Sequence, residues 1–248
     1  MPPVPANLQH LIAGTRFGPV EWYPVLESTN ATALIAARSG SAAGLVVVAD
    51  HQTAGRGRLG RTWTSAPGAA LLVSVVLEPD LPVDRRHLVV LAAAVAMADA
   101  VGTASGVAAV VKWPNDLLVG DRKLAGVLAE SSGAAVIVGI GVNVDRRSVP
   151  PGLDAVATAL ELEGAGTVGR PDLLGTFLVA YDAWLDDLAG ARAAARDRSA
   201  TLGRPVRVER PDGVVEGVAV DIGEAGELLV EVDGRTLAVH AGDVTHLR

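Results

Sequence analysis

The sequence predicts an α+β chain in which a larger domain of strands and helices, residues 1–201, precedes a small all-β domain, residues 202–248. Three observations predict it. Short apolar runs bounded by Gly, Pro and Asp recur up to Val144 and read as buried strands. Two longer stretches, His87–Val101 and the one opened by Pro171, are patterned as helices. Beyond Thr201-Leu-Gly-Arg-Pro205 only short β-like segments remain, separated by Gly/Asp turns.

Taken in order, Gly44–Asp50 is a buried strand that feeds a Gly/Arg-rich loop, and Ala69–Leu77 is the strand that leaves it. His87–Val101 is Ala-rich and apolar almost all round, which predicts a helix packed against the sheet. Asp99 interrupts its apolar run, which falls short of the roughly 18 residues of a bilayer span, so no membrane association is expected. No basic-then-apolar leader opens the chain, and a cytoplasmic protein is expected. Ala108–Lys112 is a strand stopped by Trp113-Pro114, and Asp116–Glu130 forms two strands about a Gly120-Asp121 turn. Ala134–Val144 closes the series, with Gly139 and Gly141 marking a close approach of ligand or backbone. After Pro171, apolar residues from Leu173 to Leu188 recur at helical spacing and read as core. Val206–Arg210, Val214–Ile222, Leu228–Val232 and Arg235–Val239 are the strands of the appended small barrel.

Half of the 248 residues are hydrophobic, enough for a folded core. The absence of cysteine excludes disulfides, thiolate metal sites and cysteine nucleophiles. A formal charge of −7 argues against a general nucleic-acid binder. Against that acidic background, Gln52–Trp63 carries Arg56, Arg58 and Arg61 and no acid, the signature of a loop that binds a small anion. Of 21 basic residues only Lys112 and Lys123 are lysines, and both fall in one short window, as if a compact ammonium were needed there. Apart from Asn7 and Gln9, every side-chain amide (Asn30, Gln52, Asn115, Asn143) lies in a segment marked on other grounds. Amides can read the donor and acceptor edges of a polar ligand. The five scattered histidines read as structural or surface residues.

The sharpest motif is Gln52-Thr-Ala-Gly-Arg-Gly-Arg-Leu-Gly-Arg-Thr-Trp63. Glycines let backbone N–H groups approach a phosphate, and guanidiniums offer paired donors to its oxygens. It is neither a Walker A loop nor a dinucleotide fingerprint, because the Gly-Lys-Ser/Thr ending and the required Gly spacing are missing. Such a loop is expected to be floppy until an anion orders it.

Gly55-Arg-Gly-Arg-Leu-Gly-Arg61, Lys112-Trp-Pro-Asn-Asp116, Arg122-Lys-Leu-Ala-Gly-Val-Leu-Ala-Glu130 and Gly139-Ile-Gly-Val-Asn143 occur in the order typical of biotin–protein ligases, which the chain resembles over nearly its whole length. Ser28-Thr29-Asn30 precedes them at a fitting distance. The resemblance implies a mixed sheet flanked by helices, similar to class II aminoacyl-tRNA synthetases, plus an SH3-like C-terminal barrel. It further implies that Ser28, Thr29, Asn30 and Gln52 hold the ureido end of biotin, and that Gly139 and Gly141 line its pocket. Arg56, Gly57 and Arg58 match the loop that folds over biotin and the adenylate phosphate. Lys123 matches the lysine between the biotin carboxylate and the α-phosphate. Arg61, Trp63, Lys112, Asn115, Asp116 and Asn143 fall on the nucleotide side.

The chemistry of the residues agrees. A biotin carboxylate is ionised at neutral pH, so joining it to ATP needs charge neutralisation and no general base. Lys123, the loop arginines and Mg²⁺ on the triphosphate would supply it. The biotinyl group would then pass to a lysine on the biotin carboxyl carrier domain of an acyl-CoA carboxylase. Ser28 lies too near the start of the sequence to leave room for a helix-turn-helix module, so no DNA binding is expected. A monomer and a homodimer are equally compatible with the sequence, and no metal ligands are identified. The rival readings are a lipoate or octanoate ligase or transferase of related fold, and a non-catalytic biotin or nucleotide sensor.

Overall fold

The computed structural model describes residues 4–40, 43–210 and 212–247. Its larger domain is organised by a seven-stranded mixed sheet. The strands are β1 (Val20–Tyr23), β2 (Val46–Ala49), β3 (Ala70–Leu77), β4 (Val110–Lys112), β5 (Asp116–Val119), β6 (Arg122–Ser132) and β7 (Ala135–Asn143), in the order β1-β2-β3-β7-β6-β5-β4. The β1–β2 pair is parallel and the remaining neighbours are antiparallel. Around the sheet lie helices α1 (Ala6–Leu11), α2 (Thr29–Arg38), α3 (His87–Ser105), α4 (Arg170–Asp186) and α5 (Leu188–Asp197).

Strand alternation divides the labour between the two faces. Leu71, Val73 and Val75 of β3, with Val138, Ile140 and Val142 of β7, join the main core beneath α3 and α4. Val76 and Ile137 point the other way, into a smaller cluster under Ala33 of α2. Ser74, Gly139, Gly141 and Asn143 share that second face by the same alternation, so it becomes polar and bare beside the start of α2.

α3 runs on to Ser105, past the point where the sequence analysis ended it at Val101. By length and composition it is apolar enough to cross a membrane, but most of it is enclosed by the protein. Asp99 does not break the helix, because its carboxylate accepts Trp184 Nε1 at 2.8 Å and pairs with Arg198. The Tyr181 hydroxyl donates to Val89 O at 2.9 Å, which fixes α4 along α3.

The C-terminal domain is a five-stranded antiparallel sheet of β8 (Pro205–Arg210), β9 (Gly213–Ile222), β10 (Leu228–Val232), β11 (Arg235–Val239) and β12 (Asp243–His246), in the order β11-β10-β9-β8-β12. This arrangement fits an SH3-like barrel. The strands expected from the sequence are all present, and β12 adds a fifth, paired to β8. Trp113 Nε1 donates to Gly226 O at 2.9 Å and ties the two domains together. Gly226 has φ +88°, and a Cβ there would come within 3.1 Å of His87 and Leu91, so only glycine allows the approach. Burial at this junction, with Arg58 and His240 adding positive charge, pushes His87 down to about 4 and keeps it neutral.

Candidate active site

A cavity of about 710 Å³ opens on the polar face of the sheet beside the N-terminus of α2. One end is neutral. Ser28 is the N-cap residue of α2, yet its side chain makes no capping bond. The Thr29 N–H and hydroxyl both donate to Gln52 Oε1, at 2.7 and 3.0 Å, which leaves the Gln52 Nε2 donors for a ligand. Below them Ser74, fully buried in β3, lies 2.8 Å from Thr29 Oγ1 and 2.6 Å from Asn30 Oδ1. Asn30 Nδ2 donates to Leu128 O at 3.2 Å and to Glu130 at 2.8 Å. Asn30 therefore lines the cavity with its polar atoms committed to the wall. A Cβ on Gly139 would lie 2.0 Å from Asn30 Oδ1, so this strand position must stay bare.

The other end is charged. The Gly/Arg loop is closed by its own backbone, Gly57 N donating to Arg61 O at 2.7 Å and Trp63 N to Gly55 O at 3.0 Å. These two bonds shape the loop as a turn. Arg56, Arg58, Arg61 and Lys123 each already face a protein acceptor. Arg56 lies 3.7 Å from Glu130. Arg58 donates to Asn115 Oδ1 at 2.9 Å and to Gly242 O at 3.0 Å, and burial lowers its pKa against the opposing pull of Asp116 and Asp243. Arg61 pairs with Asp243, whose hydrogen bond raises its pKa. Lys123 Nζ stands 2.7 Å from Asp116 Oδ1 and 5.7 Å from the centre of the Trp63 ring. That ring rests on the cross-strand glycine pair Gly126 and Gly141, where added Cβ atoms would sit 3.3 and 2.6 Å from it. Its Nε1 is buried without a partner, a donor left over for a ligand.

All residues singled out in the sequence, from Ser28 to Asn143, line this one cavity. Asn115 and Asn143 are also ties within it: Asn115 Nδ2 donates to Val127 O and Asn143 Nδ2 to Thr158 O, both at 2.9 Å. Ser74, Gly126, Glu130, Thr158 and Asp243 also belong to the site, beyond the residues expected from the sequence. Ser74 left a trace, as the one polar residue in the apolar run Ala69–Leu77. Asp243 left none, since only folding brings β12 to the loop. No group of three His, Asp or Glu side chains able to hold a metal ion exists among the described residues.

Residues 22–145 match the biotin/lipoate A/B protein ligase family, and residues 201–247 match the biotin protein ligase C-terminal domain. The chain is 41% identical to a biotin–[acetyl-CoA-carboxylase] ligase of Mycobacterium tuberculosis, over 89% of this chain and 86% of the relative. A ligase of the same name from Paracoccus denitrificans is 35% identical over 88% of this chain and 96% of its own length. Among solved structures, the biotin protein ligase from Aquifex aeolicus in complex with biotin and ATP superimposes with a TM-score of 0.80 at 27% identity, covering 94% of this chain and 100% of that one.

Proposed function

The chain belongs to the biotin/lipoate A/B protein ligase family, and on that premise we propose how its cavity carries out ATP-dependent biotin–protein ligation. The observation that carries the reading is the single cavity, neutral and hydrogen-bonding at the Ser28–Gln52 end and cationic at the Lys123 end. Its volume suits a ligand the size of an acyl-adenylate.

In the first step an oxygen of the biotin carboxylate attacks the α-phosphorus of ATP and pyrophosphate leaves. Both reactants are anions, so the barrier is electrostatic. Lys123 meets it by exchanging Asp116 for the phosphate, with Arg58 and Arg56 closing over the new mixed anhydride. Asn115 holds Arg58 in place for this, and Trp63 with Asn143 borders the nucleotide. Asp116 is the carboxylate that would help hold a Mg²⁺ brought by the triphosphate, and such an ion would supply further charge neutralisation there. In the second step a lysine amine of the acceptor attacks the carbonyl carbon, an amide bond forms and AMP leaves. The acceptor is the biotin carboxyl carrier domain of an acyl-CoA carboxylase, in the cytoplasm. The net charge of −7 argues against an added DNA-binding role.

ATP–pyrophosphate exchange with biotin, lipoate or octanoate as the sole acid tests this. Exchange with biotin alone is expected. Exchange supported by lipoate or octanoate but not by biotin would replace the reading with that of the sister enzymes.

A further inference from the structure

Lys123 stands where strand pairing changes partners. β5 and β6 lose regular register at Leu117/Leu118, and β6 pairs with β7 only from Ala125 onward. Beside Lys123 an irregular strip takes the place of β7: Lys123 N donates to Val156 O at 2.8 Å, and Thr158 N donates to Lys123 O at 2.9 Å. Thr158 is fully buried. Its carbonyl accepts Asn143 Nδ2 at the end of β7, and its hydroxyl donates to Glu163. Glu163 in turn accepts the guanidinium of Arg122, the neighbour of Lys123, at 2.7 Å. The bonds close a ring from Lys123 through Thr158, Glu163 and Arg122 back to Lys123, with Asn143 attached.

We propose that Thr158 is a positioning residue for adenylate formation, a clasp that holds Lys123 and Asn143 in one rigid unit. The proposal rests on the role given above to Lys123. A lysine side chain is long and flexible, so its ammonium reaches a fixed point only if its backbone is fixed. β5 sets Leu118 opposite Lys123 beside the register shift, but the backbone N–H and C=O of Lys123 are both taken by the strip centred on Thr158. The hydroxyl ties the strip to the Glu163–Arg122 pair: without it the strip keeps its backbone bonds to Lys123 and the bond from Asn143, but the ring is open. The groups at Ser28, Thr29 and Gln52 assigned to the ureido end of biotin lie outside the ring, so most of the binding of biotin alone does not depend on it.

Thr158→Val keeps the shape and removes the hydroxyl; Thr158→Ser keeps the hydroxyl. Pyrophosphate exchange at saturating ATP and biotin is compared with biotin affinity measured without ATP. For Thr158→Val, kcat falls about tenfold or more while biotin affinity holds, and Thr158→Ser recovers most of the rate. Glu163→Gln, which leaves Thr158 in place, shows a smaller fall in the same parameter and serves should Thr158→Val fold poorly. Undiminished kcat in Thr158→Val and Glu163→Gln beside an active wild type overturns the clasp alone. Equal losses in kcat, biotin affinity and thermal stability, with no recovery in Thr158→Ser, overturn it in favour of simple packing. A wild-type chain that exchanges no pyrophosphate with biotin overturns the ligase mechanism itself.

Discussion

The two ends of the cavity are built on opposite principles. At the neutral end buried Ser74, Thr29 and Asn30 and half-buried Gln52 form a chain of short hydrogen bonds within the protein, with the Gln52 Nε2 donors left over. At the charged end Arg56, Arg61 and Lys123 are each at least a third exposed, with a carboxylate beside each. Buried neutral networks are stiff, because any broken bond leaves an unpaired polar group in a dry site. Exposed ion pairs are weak and exchange readily with incoming anions. On the proposed reading, a rigid reader of biotin adjoins a set of cations whose carboxylates stand in for the phosphates of ATP.

Lys123→Ala makes the sharpest test of that division. Adenylate formation should fall by about 10² to 10³, the usual loss for one donor to a developing negative charge, with biotin binding in the absence of ATP near wild type. An equal loss of biotin binding would show that the ends are not separate. Gly139→Ala attacks the other end. Its new Cβ would lie 2.0 Å from Asn30 Oδ1, and Asn30 has no free direction to retreat because Ser74, Leu128 and Glu130 hold it. Overpacking of this kind costs about 1–3 kcal/mol, here expressed as weaker biotin binding and a lower Tm with ATP contacts spared. Unchanged biotin affinity by titration calorimetry would mean the wall yields more easily than its hydrogen bonds indicate.

The charged end was the more legible in the sequence, for a physical reason. Arginines crowded into a glycine-rich loop and two isolated lysines stand out against an acidic, arginine-preferring chain, so their chemistry shows before any folding. The neutral end is written in ordinary residues. Thr29 and Ser74 acquire meaning only when β3 and the start of α2 meet, which no local pattern reports. The long strands and helices were readable because their apolar periodicity is strong, as in β3, β7 and α3. α2 was not identified, since its buried face is a few alanines and polar groups, and β1 and β12 are four residues each. The partner carboxylates divide in the same way: Asp116 sits inside a motif, whereas Asp243 reaches Arg61 from the other domain.

Asp243 supplies the mildest test of whether the charged end is held by stand-ins. Its pair with Arg61 is partly solvated, worth a few tenths of a kcal/mol up to about 1 kcal/mol. If Asp243 merely competes with the triphosphate, Asp243→Asn should tighten ATP binding by about 1.5- to 5-fold, the same energy read as affinity. The gain should shrink as salt is raised, since screening already weakens the pair in the wild type. Biotin affinity should not move at any salt concentration, because no hydrogen bond of the neutral end involves Arg61 or Asp243. Weaker ATP binding in Asp243→Asn would reverse the assignment. Asp243 would then aim Arg61 at the nucleotide, and the C-terminal domain would belong to the active site as a positioning element with no competing role.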